Sequence, residues 1–161
     1  MSTAPGIEGL TILHLGLGSF HRAHQAVYLQ DLIDAGDSGW SLAAGNLRAD
    51  MADTIAALIR QDGQYTLETV SPVGERRYER ITAIRQVIPY TPSLAGLIAL
   101  GAHANTRIIS FTVTEAGYYL DAKNRLDLNF SDLASDLAQA RYGKPGQTIY
   151  GALAAILRAR M

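Results

Sequence analysis

Residues 11–24 read Thr-Ile-Leu-His-Leu-Gly-Leu-Gly-Ser-Phe-His-Arg-Ala-His. A short apolar run passes straight into Gly16-Leu17-Gly18, then Ser19, Phe20, His21 and Arg22. Two glycines one residue apart, between a strand and a helix, suit a phosphate: the first makes the tight turn and the second clears the ligand's path to the backbone. The helix start then offers unpaired N–H groups and a positive dipole end. Ser19 adds a hydroxyl donor and Arg22 a charge. His21 stands where the dinucleotide fingerprint has its third glycine, a residue that serves helix–strand packing, so the expected effect falls on helix placement. A purely structural turn is the competing reading. His21 and His24 would share one side of a helix, but no third ligand is nearby and the chain has no cysteine. No metal is therefore expected; His21 suits a helix-capping or cofactor-facing role and His24 packing.

A second group follows the next apolar run. "WSLAAGN" (40–46) ends in Asn46, with Arg48 and Asp50 behind it. An acid there accepts hydrogen bonds from the adenosine ribose and repels a 2′-phosphate. Asn46 repels nothing, Arg48 is able to pair with a phosphate, and Asp50 equally suits a helix cap.

The elements that must position these residues are legible as alternating strands and helices. Strands are expected at 11–15, 40–46 and 107–113, the last the most convincing buried strand of the chain. Helices are expected at 22–35 with Gly36 past the end, from an Asp50 cap through Met51, Ile55, Leu58 and Ile59, and at 94–100, 131–141 and 147–160. "QYTLETV" and "RRYERITAIRQV" alternate around a turn at Pro72–Gly74, predicting an antiparallel excursion near 64–88. Tyr65, Tyr78 and Tyr90 read as cross-strand and core packing, and Arg76, Arg77, Arg80 and Arg85 as a solvated face. This order predicts an α/β, Rossmann-like, doubly wound and mainly parallel sheet with its ligand crevice at the strands' carboxyl ends.

Composition agrees. The chain is 48% hydrophobic and 18% charged, which is globular, and its net charge of −1 argues against nucleic acid or anionic membranes as partners. Absent cysteines exclude disulfides and fit a cytoplasmic location. No apolar run approaches a membrane span. Residues 1–10 read as a flexible tail and 11–161 as a dinucleotide-binding domain. The stripe Ile149, Leu153, Ile156, Leu157 runs almost to Met161 without a closing element, so an incomplete domain, the amino-terminal piece of a longer protein, is expected.

The wording "LHLGLGSFHRAHQAVYL", continued by "AAGNLRADM", "QDGQYTLETVSP", "GERRYERI", "FTVTEAGYYL" and "YGALAAILRAR", resembles the mannitol dehydrogenase family of long-chain polyol dehydrogenases over nearly the whole chain. The resemblance implies oxidation of a sugar alcohol by hydride transfer to NAD without a metal. D-arabinitol going to D-xylulose comes first, with mannitol or fructuronate as alternatives. It assigns Asp50 to the position of the acid in NAD-dependent members. It implies a lysine base on a helical carboxyl-terminal domain beyond residue 161, hence no catalytic residue in this chain. "TVTEAG" resembles the family's Thr-Glu-Gly-Gly-Tyr loop, with Ala116 departing from glycine; there Thr114 would meet the cofactor and Glu115 would relay protons or gate. Lys123 and Lys144 match no catalytic position, and Tyr119-x-x-x-Lys123 lies in a Gly-, Asp- and Asn-rich loop rather than on a helix. Two rival readings use the same glycine turn: a non-catalytic nucleotide-sensing module, and a methyltransferase, whose methyl donor carries no pyrophosphate.

Overall fold

The computed structural model describes residues 9–161; the tail expected over 1–10 lies outside the described residues except at its end. There Leu10 already belongs to the sheet, its N–H donating to the Gly39 carbonyl at 2.8 Å. In chain order the described strands are β1 (Leu10–Leu15), β2 (Trp40–Gly45), β3 (Tyr65–Val70), β4 (Arg76–Ile81), β5 (Ile84–Ile88) and β6 (Thr106–Phe111). The described helices are α1 (Ser19–Ala23), α2 (Gln25–Asp34), α3 (Ala52–Arg60), α4 (Ala95–Ala102), α5 (Ser131–Ala140) and α6 (Ile149–Ala159).

β1, β2, β5 and β6 form a parallel sheet in the order β5-β2-β1-β6, and β3 pairs with β4 in a separate antiparallel ribbon. Period-two alternation on β1 and β2 divides the core between the sheet's faces, and an irregularity in the β2–β5 register between Ile84 and Gln86 sends Ile84 and Ile88 to opposite faces. Leu13, Leu15, Ala43 and Ile88 pack with Leu97, Leu100, Ala152 and Ile156 from α4 and α6. Leu42, Ala44 and Ile84 pack with Ala26, Leu29, Ile55 and Leu58 from α2 and α3. Helices thus cover both faces, as a parallel sheet requires. The chain winds outward from β1 through β2 to β5, then returns to place β6 on β1's other side. The order therefore reverses at β1, and the switch-point crevice opens beyond the carboxyl ends of β1 and β6.

Six expectations need correction. The helix expected at 22–35 starts earlier and is broken at His24, whose backbone (φ −129°, ψ −82°) is not helical. The strand expected at 76–87 is two strands. Buried Gln30 accepts from the Thr82 N–H at 2.6 Å and from its hydroxyl at 3.1 Å, stitching the bend that passes the chain from ribbon to main sheet. Asp50 does not cap α3: Met51 occupies the cap in a left-handed conformation (φ 56°) with no side-chain cap bond, and is itself exposed rather than on the apolar stripe. β6 is the outer strand of the sheet, with Ile108 44% exposed, rather than a fully buried one. Tyr78, also expected in packing, is exposed and donates to Glu68 at 2.9 Å.

Candidate functional site

A crevice of about 560 Å³ opens at the carboxyl ends of β1, β2 and β6. Gly16, Leu17 and Gly18 form one wall, Asn46, Arg48 and Asp50 the next, and Thr112 to Thr114 the side toward β6. Gly16 has φ +129°, which L side chains rarely adopt, so the first glycine is fixed by the turn itself. Gly18 is different: its backbone (φ −66°, ψ 170°) is open to any residue, and a Cβ there would meet no atom within 4 Å. No contact among the described residues demands glycine at 18. Gly18 also lines the crevice, at a helix start that no side chain caps. That is the cradle a phosphate group needs, and these residues fit a dinucleotide.

The crevice gathers Gly16, Leu17, Gly18, Asn46, Arg48, Asp50 and Thr114. Ser19, Phe20, His21, Arg22 and Glu115 do not line it. Phe20 is 60% exposed and stacks on His24 at 4.1 Å. The Arg22 side chain folds back, Nε donating to the Leu17 carbonyl at 3.3 Å, with its guanidinium 5.8 Å from the centre of the Tyr65 ring. Tyr65 in turn donates to the Arg22 carbonyl at 2.6 Å, and burial pushes its hydroxyl up to about 12. Arg22 thus braces the glycine turn from behind. Glu115 opens a 3-10 turn (Glu115–Tyr118) and is exposed.

Asn46 is 5% exposed, and its side-chain amide donates to the Asp50 carboxylate at 2.9 Å, holding that acid at the crevice. The Arg48 guanidinium donates to Asp132 Oδ2 at 2.6 Å and to the Tyr119 hydroxyl at 3.1 Å. Tyr119 therefore serves as an anchor, and the Tyr119–Lys123 span is a turn, with Asn124 left-handed, rather than a helix face. Among the described residues no group of three acidic, cysteine or histidine side chains gathers to hold a metal.

Beneath the turn lies a polar pair. His14 on β1 and His21 on α1 are both buried and stack in parallel, ring centres 3.8 Å apart. His14 Nδ1 lies 2.8 Å from the Ser110 hydroxyl and Nε2 2.9 Å from that of Thr112. Ser110 donates onward to Gln25 Oε1 at 3.1 Å, so His14 donates from Nδ1 and accepts from Thr112 at Nε2. Burial, then the neighbouring His21, lowers His14 to about 3. Burial lowers His21 to about 4, with Gln25 opposing the fall and Arg22 adding to it. Neither ring nitrogen of His21 closes a hydrogen bond among the described residues. The residue replacing the third glycine thus packs the helix start onto the β1 histidine instead of facing the crevice. His14 carried no signal of its own beyond being a polar residue within an apolar strand.

Residues 10–161 match the family model described as the mannitol dehydrogenase Rossmann domain. D-arabinitol 4-dehydrogenase of Klebsiella pneumoniae is 52% identical over 151 residues, covering 94% of this chain and 32% of that protein. Mannitol 2-dehydrogenase of Cereibacter sphaeroides is 39% identical, covering 92% of this chain and 31% of that protein. The solved mannitol 2-dehydrogenase of Pseudomonas fluorescens, in a ternary complex with NAD and D-mannitol, superposes with a TM-score of 0.84 at 29% identity, over 96% of this chain and 31% of that one. The chain spans about a third of the length of the relatives it matches.

Proposed function

The chain belongs to the mannitol dehydrogenase family, and on that premise we propose that it is the NAD-binding domain of a polyol dehydrogenase whose preferred substrate is D-arabinitol, oxidised to D-xylulose. The observation that carries the reading is the glycine turn at the switch point, with Gly16 required by its backbone and Gly18 required by no contact among the described residues. The identity to the D-arabinitol enzyme supports that substrate over mannitol.

When bound, NAD supplies the hydride acceptor for alcohol oxidation. Gly16, Leu17 and Gly18 would hold its pyrophosphate through backbone N–H groups. Asn46 orients the Asp50 carboxylate, which would receive the adenosine ribose and disfavour a 2′-phosphate. Thr114 would hydrogen-bond the nicotinamide end, and exposed Glu115 would relay protons or gate the substrate. Arg22, Ser19, Phe20 and His21 serve the turn from outside the crevice. The base that removes the hydroxyl proton is assigned to a carboxyl-terminal domain of the same protein.

The test is a steady-state comparison of D-arabinitol, D-mannitol and D-fructuronate with NAD and NADP, using the full-length protein and this chain. The proposal expects the highest kcat/KM for D-arabinitol with NAD in the full-length protein and no turnover by residues 1–161. Ordinary dehydrogenase turnover by the short chain would place the base within it.

A further inference from the structure

Among the described residues Arg48 is the one Lys or Arg on the crevice wall, and it is already engaged. It lies three residues beyond the end of β2, where the dinucleotide fold seats the adenosine ribose, and it also lines a neighbouring cavity of about 420 Å³ with Tyr90, Asp132 and Gln147. A guanidinium there is suited to a bidentate grip on a 2′-phosphate. Its Nη2 instead contacts Asp132 from α5 at 2.6 Å and the Tyr119 hydroxyl at 3.1 Å. Tyr119 also reaches Asp132 Oδ2, at 3.5 Å, and is itself 8% exposed and packed edge-on against Phe130 at 5.5 Å. Asp132 is thus held toward Arg48 by a braced neighbour rather than by the ion pair alone.

From this arrangement we infer that Asp132 is a specificity-determining residue: it occupies Arg48 and so denies NADP its phosphate partner. The inference rests on the dinucleotide reading above. The pair is half-exposed, with side-chain exposures of 55% and 49%, so opening it costs little in itself. The discrimination comes from what opening leaves behind. A 2′-phosphate that took Arg48 would stand beside the released Asp132 carboxylate, with Asp50 also on the same crevice wall. Two carboxylates repel the extra phosphate charge, whereas the uncharged ribose hydroxyl of NAD meets no such opposition. Asp132 therefore acts through Arg48 on cofactor choice, a role separate from that of Asp50, which no described hydrogen bond joins to Arg48.

The test is fluorescence titration of the purified protein with NADH and NADPH. Asp132→Asn, and Asp132→Ser as a second variant, are expected to raise the NADPH-to-NADH affinity ratio about ten-fold by freeing a charge-assisted donor. Adding Arg48→Ala to Asp132→Asn is expected to remove the larger part of that gain, the part the guanidinium supplies, leaving only the smaller effect of the lost carboxylate. A ratio within two-fold of wild type in both single variants overturns the inference, as does an undiminished gain in the Asp132→Asn, Arg48→Ala double variant. Wild-type protein that binds neither nucleotide overturns the dinucleotide reading itself, and the inference with it.

Discussion

Acid should unfold this protein through the two histidines beneath the glycine turn. Both imidazoles are neutral in the folded state, lowered from an ordinary value of 6.5 to about 3 for His14 and about 4 for His21. In the unfolded chain both titrate near 6.5. Between that pH and 4 the unfolded chain binds more protons, so stability is full above 6.5 and falls as pH drops toward the folded values. At pH 5 the unfolded imidazoles lie about 1.5 pH units below their midpoint while the folded pair is still neutral. Each histidine then costs about 2 kcal/mol, and the pair about 4 kcal/mol, a large share of the 5–15 kcal/mol typical of a domain. The assay is urea unfolding from pH 7.5 to 4.5 for wild type and His21→Phe. Phe keeps the stacked ring, and among the described residues neither His21 nitrogen closes a hydrogen bond, the neighbouring Gln25 side chain acting on it only weakly against the effect of burial. The variant should lose about half as much stability between pH 7 and 5. Parallel curves for the two proteins would refute the reasoning and shift acid sensitivity to the carboxylates.

Three further outcomes follow from individual contacts. Gly16→Ala forces a side chain onto φ +129° and should cost about 1–3 kcal/mol, read as a lower urea midpoint; an unchanged midpoint would mean the turn relaxes freely. Buried Asp136 accepts from the Gln147 and Thr148 N–H groups, each at 2.8 Å, and from the Thr148 hydroxyl at 2.5 Å, fastening the start of α6. Asp136→Ala should therefore cost about 3 kcal/mol or more, measured the same way. Asp50→Ala should raise NADPH affinity relative to NADH by removing a carboxylate from the crevice, and an unmoved ratio would leave Asp50 no part in cofactor choice.

The parts of the fold legible in the sequence are those set by local pattern. The strand ending at Leu15, the glycine turn, the apolar stripe of α6 and the alternation of β3 are fixed by period and punctuation, and all sit within a residue or two of expectation. What the pattern could not carry was tertiary choice. The alternation over 76–87 continues across Thr82, and only the Gln30 side chain on α2 marks where the chain leaves the ribbon. No glycine or proline announces the break at His24; His21 stacked on His14 below and Phe20 on His24 outside divide that segment. Asp50 had the chemistry of a cap, but Asn46 claims its carboxylate and the left-handed Met51 starts α3 instead. Within the site, backbone-determined positions were legible and side-chain directions were not. Gly16 and Gly18 face the crevice as expected, while Arg22 turns back onto the Leu17 carbonyl and His21 turns inward.

On the proposed function, Gly18 is glycine for a ligand and not for the fold. This is tested most directly by titrating NADH into wild type and Gly18→Val while recording the thermal melt of each without ligand. A branched side chain at 18 meets no described atom in the free protein, so the melts should differ only by the small cost of Val in place of Gly at the start of α1. The same side chain fills the phosphate cradle, so NADH affinity should fall ten-fold or more, about 1.4 kcal/mol. Equal NADH affinity in a variant with an unchanged melt would contradict the account and reduce the turn to a structural one.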